Sequence, residues 1–166
     1  MKTSDDKNEL FVVVDKNDKI IGYKTRGECH SNKNLMHRGA GVMIFNDKGE
    51  VLLQKRSRTK DLYPGYFTIS SAGHVNKGES YEKTAKREML EEIGIKTKIT
   101  FYSKFLYEDE HETEMDTIYT ATHNGPFKND KNEVEYVQFI PKEKLLKMQK
   151  KLSPFAIKSF QELGWL

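Results

Sequence analysis

Three carboxylates, Glu88, Glu91 and Glu92, stand at i, i+3 and i+4 in the segment AKREMLEEIG. On a helix they share one patch of surface. Like charges at that spacing destabilise an isolated helix by about 0.2–0.5 kcal/mol per pair, and only Arg87 stands locally to relieve them. A hard divalent cation would relieve them too, and Mg²⁺ is typically held by a few carboxylates together with the phosphate oxygens of a substrate. An acidic helix face of this kind is half of a site for a phosphorylated ligand. A glutamate pair alone is ordinarily a solvated face. Here it belongs to a wider pattern, G-x5-E-x7-R-E-U-x-E-E-x-G-U with U apolar, filled by Gly73, Glu79, Arg87, Glu88, Met89, Glu91, Glu92, Gly94 and Ile95. Seven fixed identities at background frequencies of about 6–7% coincide by chance on the order of 10⁻⁸ per starting position.

The elements that must position these residues follow from periodicity. Residues 80–93 read as a helix, with Ala85, Met89 and Ile93 on one face and Gly94 as its stop. Upstream, residues 10–14 and 19–24 form a hairpin around Asp15-Lys16-Asn17-Asp18, followed by a loop that carries Cys29, His30 and His37. A second hairpin joins residues 41–46 to 50–55, a basic loop spans 56–65 and ends in Pro64-Gly65, and a short strand covers 66–70. Beyond Gly94, strands are expected at 98–106, 115–123 and 133–140, then helices at 142–150 and 155–163. Strands with one central helix and a terminal helix pair predict an α/β fold with the sheet covered on both faces.

The chain of 166 residues fits one domain. With 36% hydrophobic and 32% charged residues it is a foldable hydrophilic protein. A net charge of +3, with Lys and Arg scattered, gives no face for a nucleic acid duplex. One cysteine, Cys29, excludes an internal disulfide and suits a reducing compartment. No apolar run approaches the roughly 20 residues that span a bilayer, and the start MKTSDDKNE lacks a basic-then-apolar leader pattern. A cytoplasmic protein without a membrane partner is expected, and no signature of oligomeric state is present.

The pattern at 73–95 is a complete Nudix box, and the chain resembles a Nudix hydrolase on it. The resemblance implies an α/β/α sandwich with a mixed sheet and an N-terminal β-hairpin. One Nudix domain over 1–166 is expected, with its core at about 36–150, the hairpin at 9–25 and C-terminal helices within 142–163. From about Glu9 onward the chain is also similar to the isopentenyl diphosphate isomerase branch, in three patterns. These are H-x6-H-R (His30 to Arg38), L-L-x-x-R-x3-K-x3-P-G (Leu52 to Gly65) and E-x-E (Glu112 and Glu114). This second resemblance implies that His30, His37, His74, Glu112 and Glu114 bind one divalent metal, and three nitrogens with two carboxylates suit Zn²⁺ or Mn²⁺. It also implies that Arg26, Arg56 and Lys60 hold a diphosphate.

Departures from that branch bear on the chemistry. Ala72 stands where the isomerases have their essential cysteine, Ser153-Pro154-Phe155 replaces Ser-Pro-Trp, and the Nudix box is whole where isomerases commonly carry an eroded one. Cys29, beside His30, is out of register to replace the cysteine. The expected activity is therefore metal-dependent cleavage of a diphosphate linkage in a small organic or nucleoside diphosphate. Mg²⁺ (or Mn²⁺) would be held by Glu88, Glu91 and Glu92, and Arg87 would orient the loop and its carboxylates. The general base would be Glu92 or Glu91, with Glu114 a candidate from across the site. Isomerisation of isopentenyl diphosphate and non-catalytic diphosphate binding are the alternatives.

Overall fold

The structure is a computed structural model that describes residues 4–166, so the first three positions of the expected unit lie outside it. Its elements in chain order are β1 (Leu10–Val14), β2 (Ile20–Thr25), α1 (Arg26–Cys29), β3 (His37–Phe45), β4 (Val51–Arg56), β5 (Phe67–Thr68), β6 (Ser71–His74), α2 (Tyr81–Ile93), β7 (Thr100–Glu108), β8 (Thr113–Thr122), β9 (Val134–Ile140), α3 (Lys142–Lys147) and α4 (Pro154–Glu162).

β3 is the central strand. It pairs antiparallel with β6 and runs parallel to β8 from His37↔Glu114 to Phe45↔Thr122, while β7 pairs antiparallel with β8. β4 pairs antiparallel with both β5 and β9. The β1–β2 hairpin joins at the start of β3 through Val13↔His37.

Period-two alternation along β3 separates two cores. Val42 and Ile44 pack with Ala85, Met89 and Ile93 of α2 on one face, whereas Met43 packs with Ile118, Leu53, Ala156 and Phe160 toward α4 on the other. Fully burying one such side chain stabilises by about 1.5–3 kcal/mol, which is what holds a helix on each face of the mixed sheet. The layers are those of the expected α/β/α sandwich. α2 begins at Ser80, whose hydroxyl accepts from the Lys83 N–H, and stops at Gly94 in the left-handed conformation (φ 72°).

Four local expectations need correction, the first being that β3 begins at His37 and not at 41, which puts His37 in a strand where a loop was expected. The short strand expected at 66–70 is only Phe67–Thr68, and a separate strand, β6, follows it. Small residues gave β6 no strand signature; it forms by antiparallel pairing with Gly39–Val42 of β3. The loop expected before His30 contains α1, closed by a capping box between Thr25 and Glu28. The helix expected at 142–150 ends at Lys147 and gives way to a 3-10 turn at Gln149–Lys151.

Candidate active site and metal centre

α2 presents its carboxylates to β6, and each meets a different environment. Glu92 is buried: one oxygen accepts the Ala72 N–H at 2.9 Å and the other accepts from Gln54 Nε2 at 3.1 Å. Glu88 lies flat on Gly73, where a Cβ would fall 2.2 Å from its Oε1, so any side chain there would displace the carboxylate. Glu91 is more exposed, its side chain at 57%. Arg87 donates through Nε and Nη2 to Glu79 (2.8 and 3.0 Å), through Nη2 to the His74 carbonyl (3.3 Å), and through Nη1 to Glu88 (2.7 Å) and Glu91 (3.2 Å). One planar fork thus ties the 73–79 loop to the helix. Burial, then the neighbouring Glu92 charge, pushes the Glu88 carboxyl up to about 8. Burial pushes Glu92 up to about 7, against the lowering effect of Gln54.

The second cluster is tighter. Donor atoms of His30, His37, His74 and Glu112 all lie within 4.8 Å of one another, the only such group among the described residues. Glu112 Oε2 is 2.9, 3.1 and 3.4 Å from Nε2 of His30, His37 and His74, and Glu114 Oε1 is 2.9 Å from His74 Nε2 and 3.4 Å from His37 Nε2. The three imidazole centroids are 5.2–5.8 Å apart, with Phe11 stacked on His74 at 4.2 Å. His37 Nδ1 bonds the Leu35 carbonyl (3.0 Å) and His30 Nδ1 bonds Asp61 Oδ2 (3.0 Å), so in the neutral rings both Nε2 lone pairs face inward. Lone pairs converging on carboxylate oxygens need a cation or protons between them. Without metal the protons are held there: burial would lower His30, but Asp61 and Glu112 outweigh it and push it up to about 9. His37 is likewise raised, its burial outweighed by Cys29, Glu112 and Glu114. Buried His30 Nε2 lies 2.9 Å from Glu112 Oε2 but out of line for a good hydrogen bond, a geometry that suits a metal ligand. The residues present fit a divalent cation here.

The α2 carboxylates do not form so close a group. Their cleft, about 450 Å³, is shared by Glu88, Glu91, Glu92, Arg26, Arg56 and Lys60. Such an open set suits a cation whose remaining ligands are water and substrate oxygens.

The basic residues expected to meet diphosphate lie at this cleft but already have partners. Arg26 pairs with Asp61 (3.0 Å), Asp5 (3.3 Å) and Glu9 (3.3 Å), and Lys60 with Asp5 and Glu133 (both 2.5 Å). Arg56 donates Nε and Nη2 to the Leu62 carbonyl at 3.1 and 2.9 Å. Asp5 also accepts the Asp61 N–H at 2.8 Å.

Beyond Ala72 and His74 the cleft continues into an inner cavity of about 70 Å³, with Tyr63, Tyr107 and Phe155 among its walls. A Cβ on Gly39 would lie 2.1 Å from Asp116 Oδ1, and one on Gly41 2.5 Å from Ile69 Cδ1, so these two glycines let the Asp116 and Ile69 side chains lie against β3. Asp116 is buried and its Oδ2 has no hydrogen-bond partner; burial, then Glu114 and Glu112, raise its pKa. Sequence reading missed Asp116, Gln54 and Asp61. Glu114, Asp116 and Ile118 alternate on one face of β8, a signal that could have found the first; the other two depend on pairings remote in sequence.

The Nudix domain family model matches residues 35–163, and the chain belongs to the Nudix family. Within it, relatives of two kinds stand beside this chain. An uncharacterized Nudix hydrolase of Pseudomonas aeruginosa is 30% identical over 93% of this chain and 91% of its own length. Isopentenyl-diphosphate Delta-isomerase 1 of Mus musculus is 31% identical over 90% of this chain and 77% of its own length. A crystal structure of a Deinococcus radiodurans protein covers 86% of this chain and 89% of its own, with a TM-score of 0.75 at 20% identity. The NUDIX domain of Shewanella oneidensis NrtR, solved with ADP ribose, covers 75% of this chain and 84% of its own, with a TM-score of 0.63 at 19% identity. At such identities the structural likeness speaks for the fold. Among the described residues, no helix is long and apolar enough to cross a membrane.

Proposed function

We propose that the protein is a metal-dependent hydrolase of a diphosphate linkage in a small organic diphosphate, using Glu88, Glu91 and Glu92 with Mg²⁺ or Mn²⁺ and carrying a second divalent metal, Zn²⁺ or Mn²⁺, at His30, His37, His74, Glu112 and Glu114. The observation that carries the reading is the union, in one cleft, of an intact α2 carboxylate set with Arg26, Arg56 and Lys60, while Ala72 occupies the place of an isomerase thiol. A divalent cation held by Glu88, Glu91 and Glu92 would supply positive charge against phosphate oxygens and make a nearby water more acidic.

The chain's own groups do the rest. Glu92, fixed by the Ala72 N–H and Gln54, is placed to take a proton from the attacking water, with Glu91 the exposed alternative and Glu114 reaching from the other centre. Arg87 holds Glu88 and Glu91 in position through its bonds to Glu79 and His74. Arg26 and Lys60 receive the diphosphate once it displaces Asp5. The inner cavity, at about 70 Å³, is far below the roughly 300 Å³ at which ligand pockets begin. It therefore favours a compact organic group over a nucleoside. A small diphosphate is the partner this cleft suits, and a cytoplasmic setting is part of the same proposal.

The isomerase relatives and the cluster of three histidines with Glu112, joined by Glu114, favour one second reading, isomerisation of isopentenyl diphosphate. Ala72 opposes it, having no proton to exchange. Product analysis over a panel of diphosphates with Mg²⁺ and Mn²⁺ decides: phosphate or pyrophosphate release supports hydrolysis, dimethylallyl diphosphate supports isomerisation, and binding without turnover leaves a diphosphate-binding module.

A further inference from the structure

Asp61 lies in the basic loop yet touches both halves of the site. Its Oδ2 is 3.0 Å from Arg26 Nε and 3.0 Å from His30 Nδ1, and its Oδ1 accepts from Arg26 Nη2 at 3.2 Å. The side chain is 24% exposed while its partners are at 9%, so the bonds are largely sheltered from water. Two consequences follow. Accepting from Nδ1–H commits the neutral His30 ring to the tautomer whose Nε2 lone pair points at Glu112, 2.9 Å away. Gripping Arg26 side-on leaves Nη1 for the anion cleft, where it now meets Glu9 at 3.3 Å.

We propose that Asp61 is a positioning residue for the histidine metal centre, holding His30 as an Nε2 ligand and tethering the cleft arginine to the same carboxylate. This rests on the metal-centre reading above. Asp61, which also lines the inner cavity, would not itself ligate the metal. It acts through His30, in the way carboxylates behind ligating histidines fix ring orientation and raise affinity. The geometry also separates Asp61 from Glu9, which pairs with Arg26 but makes no contact with His30.

The test is a Zn²⁺ titration of the full chain against a chromogenic chelator. Asp61→Asn, close to isosteric, should bind Zn²⁺ about 10–100-fold more weakly, while Glu9→Gln should bind like wild type although it too removes an Arg26 partner. A purely structural Asp61 would lower the melting temperature and leave Zn²⁺ affinity of the folded protein within threefold of wild type, which overturns the inference. Nitrogen-15 NMR of Zn²⁺-loaded wild type, which needs no variant to fold, should show His30 protonated at Nδ1 and metallated at Nε2; the reverse assignment also overturns it. If wild type takes up no Zn²⁺, or His37→Ala binds it equally well, the metal-centre reading itself fails and the Asp61 role falls with it.

Discussion

Glu88, Glu91 and Glu92 come from a single helix and are spaced by its pitch, whereas the histidine centre draws His30, His37, His74, Glu112 and Glu114 from separate stretches of chain. The helix set lies along an open cleft, and Arg87 already spans two of its members. The histidine set is closed by the fold, with donor atoms within 4.8 Å for four of its residues. A helix can line up carboxylates but cannot fold them around an ion. Convergent strands and loops can. Metal at α2 should therefore depend on substrate and on free metal concentration, while the histidine centre should hold its metal on its own.

The sharpest way to break that division is Glu92→Gln. Turnover with Mg²⁺ should fall by about 10²–10⁴-fold, while metal content at the histidine centre, read by elemental analysis of untagged protein, stays at wild-type level. Loss of both would make the two clusters one site. Glu91→Gln should be the milder change, because Glu91 is the exposed member.

His37→Ala addresses the other side, and uptake at the histidine centre should weaken by at least about 100-fold, more than any single supporting contact provides. The pH dependence has a definite sign. His30 in the metal-free protein is pushed up to about 9, so protons compete with metal below that value and apparent affinity should rise with pH until about 9. A histidine with ordinary titration would place that window near 6.5 instead. Metal titrations between pH 6 and 9.5 separate the two.

Ala72→Cys tests whether the chemistry of the cleft hangs on one missing group. Wild type should show no isomerisation of isopentenyl diphosphate, and the variant a detectable rate, followed as deuterium uptake into the allylic product. Restoring one acid–base group is worth about 10²–10⁴-fold. Efficient isomerisation by wild type would reverse the choice between hydrolase and isomerase.

The smallest effect expected is on stability. Glu88 and Glu92 have folded-state pKa values raised to about 8 and 7, so the metal-free fold favours their protonated forms. Stability from this source is full below about pH 4.5 and declines as pH rises through the folded values. Glu88→Gln should therefore melt a few degrees above wild type at pH 8.5, on the order of 1–3 kcal/mol, and show no gain at pH 4. Equal melting at pH 8.5 would mean that Arg87 already compensates the charge.

What was legible in the sequence divides along the same line. α2 was readable because Ala85, Met89 and Ile93 repeat at helical spacing and their carboxylate neighbours inherit that spacing. The central strand was read as beginning at 41, four residues late, because Arg38, Gly39 and Gly41 break the apolar pattern that begins at Val42. β6 was invisible for a related reason: Ser71, Ala72 and Gly73 have no strand preference of their own, and the pairing with Gly39–Val42 forms the element. His30, His37, His74, Glu112 and Glu114 could be united only through resemblance, because no local spacing brings four such stretches together. The pairing of Arg26 and Lys60 with Asp5, Asp61 and Glu133 was not legible at all. It joins charges up to 73 positions apart, and charge alone names no partner.

Ala40 of β3 with Ala72 and Gly73 of β6 give the inner cavity a floor of small residues in the nine-stranded sheet. Such a floor has no rotamers to change, and its shape is tied to the pairing of β3 with β6 and β8. Its ceiling is another matter: Tyr63 belongs to a loop and Phe155 to the first turn of α4, both replaceable without disturbing a strand. Divergence among chains of this architecture should accumulate on the ceiling. A shift in substrate size is then a matter of one or two aromatic positions, and the scaffold beneath them can stay as it is.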